Sequence, residues 1–164
     1  MATPRDIRRL ALRALVQLDA QGEGASDVIR QTLTSLNEDD PDNLAADDSA
    51  HFRESDVTKA FDLALAAFRD RRAADEAATE LAPTWPAHRQ PAVDRAIIRL
   101  AHHEITSGTG APKASVNEAV ELAKRYSTEK SPAFVNAVLD KILKRALVGT
   151  PGVSPEPPPS NPDA

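Results

Sequence analysis

Arg5, Arg8, Arg9 and Arg13 crowd the stretch "RDIRRLALRAL" near the N-terminus. Guanidinium groups at this density are anion-binding chemistry. Each planar fork matches a phosphate through two N–H groups and can stack on a base. The run has no acid at i±4, and Asp6 is the only acid before Asp19. On a surface helix a charge run is ordinarily a solvated face, but an arginine face without local acids asks for an external anion. A second set lies far along the chain: Lys124, Arg125 and Lys130, then Lys141, Lys144 and Arg145. Tyr126 and Phe134 flank the "STEKS" break between them. Aromatics interleaved with bases beside a loop supply what single-stranded nucleic acid needs, stacking platforms and phosphate contacts. A third stretch, His102-His103-Glu104, resembles metal chemistry. Successive helical residues diverge by about 100°, so the two imidazoles face apart, and neither has a His, Asp or Glu at i±4. We expect no metal, no cofactor and no catalytic residue.

The rest of the chain also argues against an enzyme. It has no glycine-rich phosphate loop after a strand and no nucleophile elbow. With no cysteine there is no disulfide or thiolate zinc site. No apolar run approaches a membrane span, so we expect a cytoplasmic protein. The net charge of −5 hides an uneven distribution. Residues 1–22 hold four arginines against two acids, and residues 91–148 hold nine bases against six acids. Residues 23–90 are strongly acidic. If the two basic segments meet in space, they make one basic surface on an acidic body.

The elements that must position these residues read as helices. Alanine and leucine dominate, only six residues are aromatic, and no segment reads as a strand. From Pro4 to about Gln21, Ile7, Ala11, Ala14, Leu15 and Leu18 share one face. The arginines fall opposite, within an arc of about 140°. "GEG" ends that helix, and Ser26 caps a second to about Leu36. "NEDDPDNLAADD" (37–48) is an acidic loop. A long helix or helix pair spans about Phe52 to Leu81, with Val57, Phe61, Leu65 and Phe68 on its stripe, and "APTWP" breaks it. Pro91 opens the next helix, on Val93, Ala96, Ile97 and Leu100. Glu104 falls on that apolar stripe, so it must be buried and satisfied by a partner. "SVNE" reads as a capping box, Ser115 with Glu118. Ser131 caps the last helix, with Pro132 at its first position and Val135, Val138, Leu139 and Ile142 inside. The tail from 149 to 164 holds six of the 13 prolines and reads as disordered. The spacing predicts six or seven helices, no sheet, and a break near 83–91.

Three stretches, "RDIRRLALRALVQLDAQG", "AVDRAIIRLAHHEI" and above all "SVNEAVELAKRYSTEKSPAFVNAVLDKIL", resemble the NusB transcription antitermination family. "FRES…TELAPTWPAHR" fits between the first two, and the resemblance covers about residues 4–146. It implies an all-α fold of two three-helix subdomains, about 4–82 and 90–147, in one domain of residues 1–148. It implies binding of a boxA-like single-stranded RNA from ribosomal RNA leaders. The partner is then NusE, a small-subunit ribosomal protein, and the pair helps RNA polymerase read through terminators. Arg5 and Arg8 fall on arginines of the family's motif, and Arg9 is additional. Tyr126 and Phe134 fall on aromatic positions that look like base-stacking residues. Asp94 falls on an acidic position implicated in NusE contact. Val16 stands where relatives often have tyrosine, and Lys130 where some have an acid. The RNA-contact set we expect is Arg5, Arg8, Arg9, Arg13, Lys124, Tyr126, Lys130, Phe134 and Lys141. The competing reading is a protein–protein adaptor or homodimer with weak or lost RNA binding.

Overall fold

Proline at the first helical position starts α1 (Pro4–Gln21), and Thr3 and Asp6 close a capping box around it. The Asp6 N–H donates to the Thr3 hydroxyl at 3.2 Å, and the Thr3 N–H donates to the Asp6 carboxylate at 2.8 Å. Two of the helix's orphan donors are thereby satisfied. Gly22, at φ +81°, ends the helix in a conformation that disfavours other residues. The structure, a computed structural model, describes residues 3–35, 52–108 and 111–148. The acidic stretch 37–48 and the proline-rich tail 149–164 lie outside the described residues.

After one 3-10 turn come α2 (Ser26–Ser35), α3 (Glu54–Arg69) and α4 (Arg71–Leu81). Then follow α5 (Ala92–Ser107), α6 (Pro112–Tyr126) and α7 (Ser131–Val148). Seven α-helices and no strand occur among the described residues, as the periodicity predicts. The pair from 52 to 81 is broken at Asp70.

α1 packs most extensively on α3, and Ala11 and Ala14 of α1 and Ala60, Ala64 and Ala67 of α3 retain no exposed surface. Small side chains let the two backbones approach closely. α2 covers this pair with Ile29 and Leu33. α6 and α7 pack on each other and on α5. α5 is the hub, touching α1, α3, α4, α6 and α7, and ten of its 16 residues are buried. α4, which the sequence reading places with the first group, packs chiefly on α5 and also touches α7 and α3. Ala74 and Ala78 are its buried residues.

The hub buries four polar side chains, Asp94, Arg99, His102 and Glu104. Arg99 donates to Asp75 at 2.9 and 2.7 Å and to Asp19 at 2.9 Å. Arg95 donates to the other Asp19 oxygen at 2.6 Å. Burial alone would raise the Asp19 carboxyl, but hydrogen bonds from Arg95 and Arg99 hold it below its ordinary 3.8. This network ties α1, α4 and α5 together. His102 is buried without a partner at Nδ1, and its burial pushes the imidazole below its ordinary 6.5. His103 faces elsewhere, with Nδ1 2.7 Å from Asp70. Among the described residues no group of three metal-ligating side chains gathers, and no helix is long and apolar enough to cross a membrane.

Candidate nucleic-acid interface

α1 and α6 both pack on α5, while their own backbones stay largely apart and side chains bridge between them. The gap between them is a groove with two adjoining hollows. One, about 450 Å³, is lined by Arg9, Leu12, Arg13, Val16, Gln17, Val93 and Tyr126. The other, about 290 Å³, is lined by Arg5, Arg9, Glu118, Glu121, Leu122, Lys124 and Arg125. Arg9 borders both. The two basic segments of the sequence therefore face one another, with Tyr126 of α6 lining the same hollow as Arg9 and Arg13 of α1. Tyr126 is half-buried, and the Arg125 guanidinium lies 5.5 Å from its ring centre. Val16 leaves an apolar floor with Leu12 and Val93.

The structure corrects the view of the arginine face as unpartnered. Arg8 donates through Nε to both oxygens of Glu104, at 3.1 and 2.9 Å. Its side chain is only 17% exposed and that of Glu104 only 6%. The Ser115 hydroxyl donates to the same carboxylate at 3.0 Å. Arg5 holds Glu118 bidentately, at 2.9 and 3.0 Å. Arg9 has Asp6 at 3.9 Å, three residues away. The acids that answer Arg5 and Arg8 stand about a hundred residues along the chain, where no local spacing reveals them. Arg8 thus works inside the fold, as a partner of the buried Glu104 predicted from its stripe.

The capping box predicted at Ser115 and Glu118 is also absent. Pro112 occupies the first turn, Ala111 is the N-cap in place of Ser115, and α6 begins four residues earlier than that box implies. Ser115 is therefore inside the helix and aims at Glu104, while Glu118 turns outward to Arg5.

The other predicted site residues scatter. Lys124 lies on the groove and pairs with Glu121 at 3.1 Å. Lys130 is exposed on the turn between α6 and α7. Phe134 is half-buried and packs against the core. Lys141 faces another way, its Nζ 3.4 Å from the Leu81 carbonyl at the end of α4. Arg145 beside it pairs with Glu80 at 3.2 and 3.0 Å. Asp94, expected at a partner surface, is 3% exposed. Its two carboxylate oxygens accept from the hydroxyls of Ser127 and Ser131, the latter at 2.8 Å. Ser131 is thus drawn to Asp94 and to Thr128, whose N–H donates to it at 3.2 Å. Asp94 anchors the turn that carries Lys130 and links Tyr126 to Phe134. Arg125, named in the second basic set of the sequence but not in the expected contact set, also lines the groove.

These features define an all-helical protein with a cationic, partly apolar groove between its first and sixth helices. The chain belongs to the NusB family, whose profile matches residues 5–144. It is 38% identical over 151 residues to the transcription antitermination protein NusB of Symbiobacterium thermophilum, covering 90% of this chain and 93% of that one. Among solved structures it resembles T. maritima NusB, with TM-score 0.65, 27% identity, and 88% and 93% of the two chains covered. A structure of the antitermination factors NusB and NusE with double-stranded RNA has TM-score 0.66 and 23% identity, covering 86% of this chain and 96% of that one. That likeness is one of fold.

Proposed function

We propose that this chain is a transcription antitermination factor that binds boxA-like single-stranded RNA together with NusE, and that the RNA runs along the α1–α6 groove. The observation that carries this reading is the joint lining of one groove by Arg9, Arg13, Arg125 and Tyr126. Phosphates are held by the guanidinium groups, and a base lies on the apolar floor against the tyrosine. Lys124 and the exposed Lys130 extend the basic margin. Arg5 stands at the rim, paired with Glu118, whereas Arg8 and Lys141 are engaged elsewhere. Asp94 acts from inside as a positioning residue of the 127–131 turn. The relatives' shared name and the NusB–NusE–RNA assembly support this role. It is a binding role exercised in the cytoplasm, with no reaction assigned to any residue.

The internal pairing of Arg5 and Arg8 favours the second reading, an adaptor or homodimer with weak RNA affinity. A titration of labelled boxA-like RNA, with and without NusE and at two salt concentrations, separates them. We expect salt-sensitive binding that NusE tightens. Absence of RNA binding under both conditions would leave the adaptor reading.

A further inference from the structure

The geometry points to Glu118 as a built-in competitor for RNA phosphate at Arg5. This inference rests on the proposed RNA-binding role. The Arg5 guanidinium grips Glu118 through Nε and Nη2, the two-point pattern by which arginine also takes a phosphate. A phosphate at Arg5 must therefore displace the carboxylate. The pair is placed for exchange: the Arg5 side chain is 55% exposed, and both residues line the charged hollow with Arg9, Lys124 and Arg125. Nor does the fold need it as a strut. α1 is already fixed to α5 by the core and by Arg8 on Glu104. The Glu118 side chain is 19% exposed, but an ion pair open to solvent on its arginine side contributes little to stability, so another anion can compete for the guanidinium. Glu118 thus sets a threshold: weakly held polyanions do not open the pair, while a strand already seated on Arg9 and Tyr126 does.

The test is a double-mutant cycle on RNA affinity, using Arg5→Ala, Glu118→Gln, the double variant and the unaltered protein. The probe is a fluorescein-labelled single-stranded boxA-like oligoribonucleotide at low salt, and thermal melts confirm that each protein is folded. Glu118→Gln should bind roughly two- to fivefold more tightly. Arg5→Ala should cost more affinity when combined with Glu118→Gln than on its own, because without the carboxylate Arg5 is open to phosphate. A strut gives the opposite sign, Arg5→Ala costing less once Glu118 is gone. Equal or weaker binding by Glu118→Gln, or a smaller Arg5→Ala loss in combination with it, would overturn this inference while leaving the RNA-binding role intact. Binding by Glu118→Gln but not by the unaltered protein would support it. Failure of all four proteins to bind would overturn both.

Discussion

Arg8 and Glu104 meet across 96 residues of sequence, with the arginine Nε 2.9 Å from one carboxylate oxygen and 3.1 Å from the other. The contact joins the first helix to the central one beneath the groove. Ser115 completes it from α6, so one buried carboxylate gathers three helices. The arginine cluster is thereby split in two, Arg8 holding the fold while Arg9 and Arg13 border the groove.

Removing that carboxylate should be costly. Glu104→Ala leaves the Arg8 guanidinium and the Ser115 hydroxyl without their acceptor, and should destabilise by about 2–3 kcal/mol. Chemical denaturation monitored by circular dichroism measures this. An unchanged midpoint would mean that the pair contributes nothing.

Asp19 should behave similarly at the other end of α1. Asp19→Asn weakens its bonds to both Arg95 and Arg99, but Asp75 still holds Arg99. We expect a loss of about 1–2 kcal/mol. The Asp19 carboxyl is held below its ordinary value, so its contribution is present at neutral pH and is lost as pH falls through the folded-state value. The variant's acid-unfolding curve should be correspondingly flatter at the acid end.

His102 should give pH dependence nearer neutrality. Its imidazole is buried and its pKa pushed below 6.5, so the unfolded chain takes up a proton first. Stability is therefore full above that value and declines as pH falls below it. Melting temperatures of the unaltered protein should drop between pH 7 and 5, and His102→Gln should reduce the drop. An identical drop in the variant would place the titration elsewhere.

Asp94 should hold the turn between α6 and α7. Asp94→Ala frees Ser127 and Ser131 and should destabilise by about 1–3 kcal/mol. Ser127→Ala should cost less, since Ser131 keeps its bond to Asp94. If Asp94→Ala melts as the unaltered protein does, the buried network is not what fixes the turn.

Much of this architecture is legible in the sequence because amphipathic periodicity is local. Every apolar stripe predicted for α5, α6 and α7 is represented in the core, and Glu104 is marked as buried by the neighbours on its own stripe. What stays hidden is tertiary. Glu118 and Glu104 are ordinary acids until folding sets them against Arg5 and Arg8. Ser115 and Pro112 both signal a helix start, and only the structure shows that proline wins. α4 has too few large apolar residues to announce its partner, so its docking on α5 and α7 does not show in its own pattern. Asp94 lies near the start of a helix, a common place for an exposed acid, and nothing local marks it as buried.

The groove as an RNA site is tested most directly by the salt dependence of RNA affinity for Arg9→Ala/Arg13→Ala against the unaltered protein. Each phosphate contact on a single strand releases counterions, so losing one lowers the slope of log K against log salt by about 0.7. The double variant should bind more weakly at low salt, with a slope shallower by about 1.4 if both arginines hold phosphate. Tyr126→Ala, in contrast, should lose affinity with little change in slope, because stacking releases no counterions. If the double arginine variant binds the RNA with unchanged affinity and slope, the α1–α6 groove is not the RNA site.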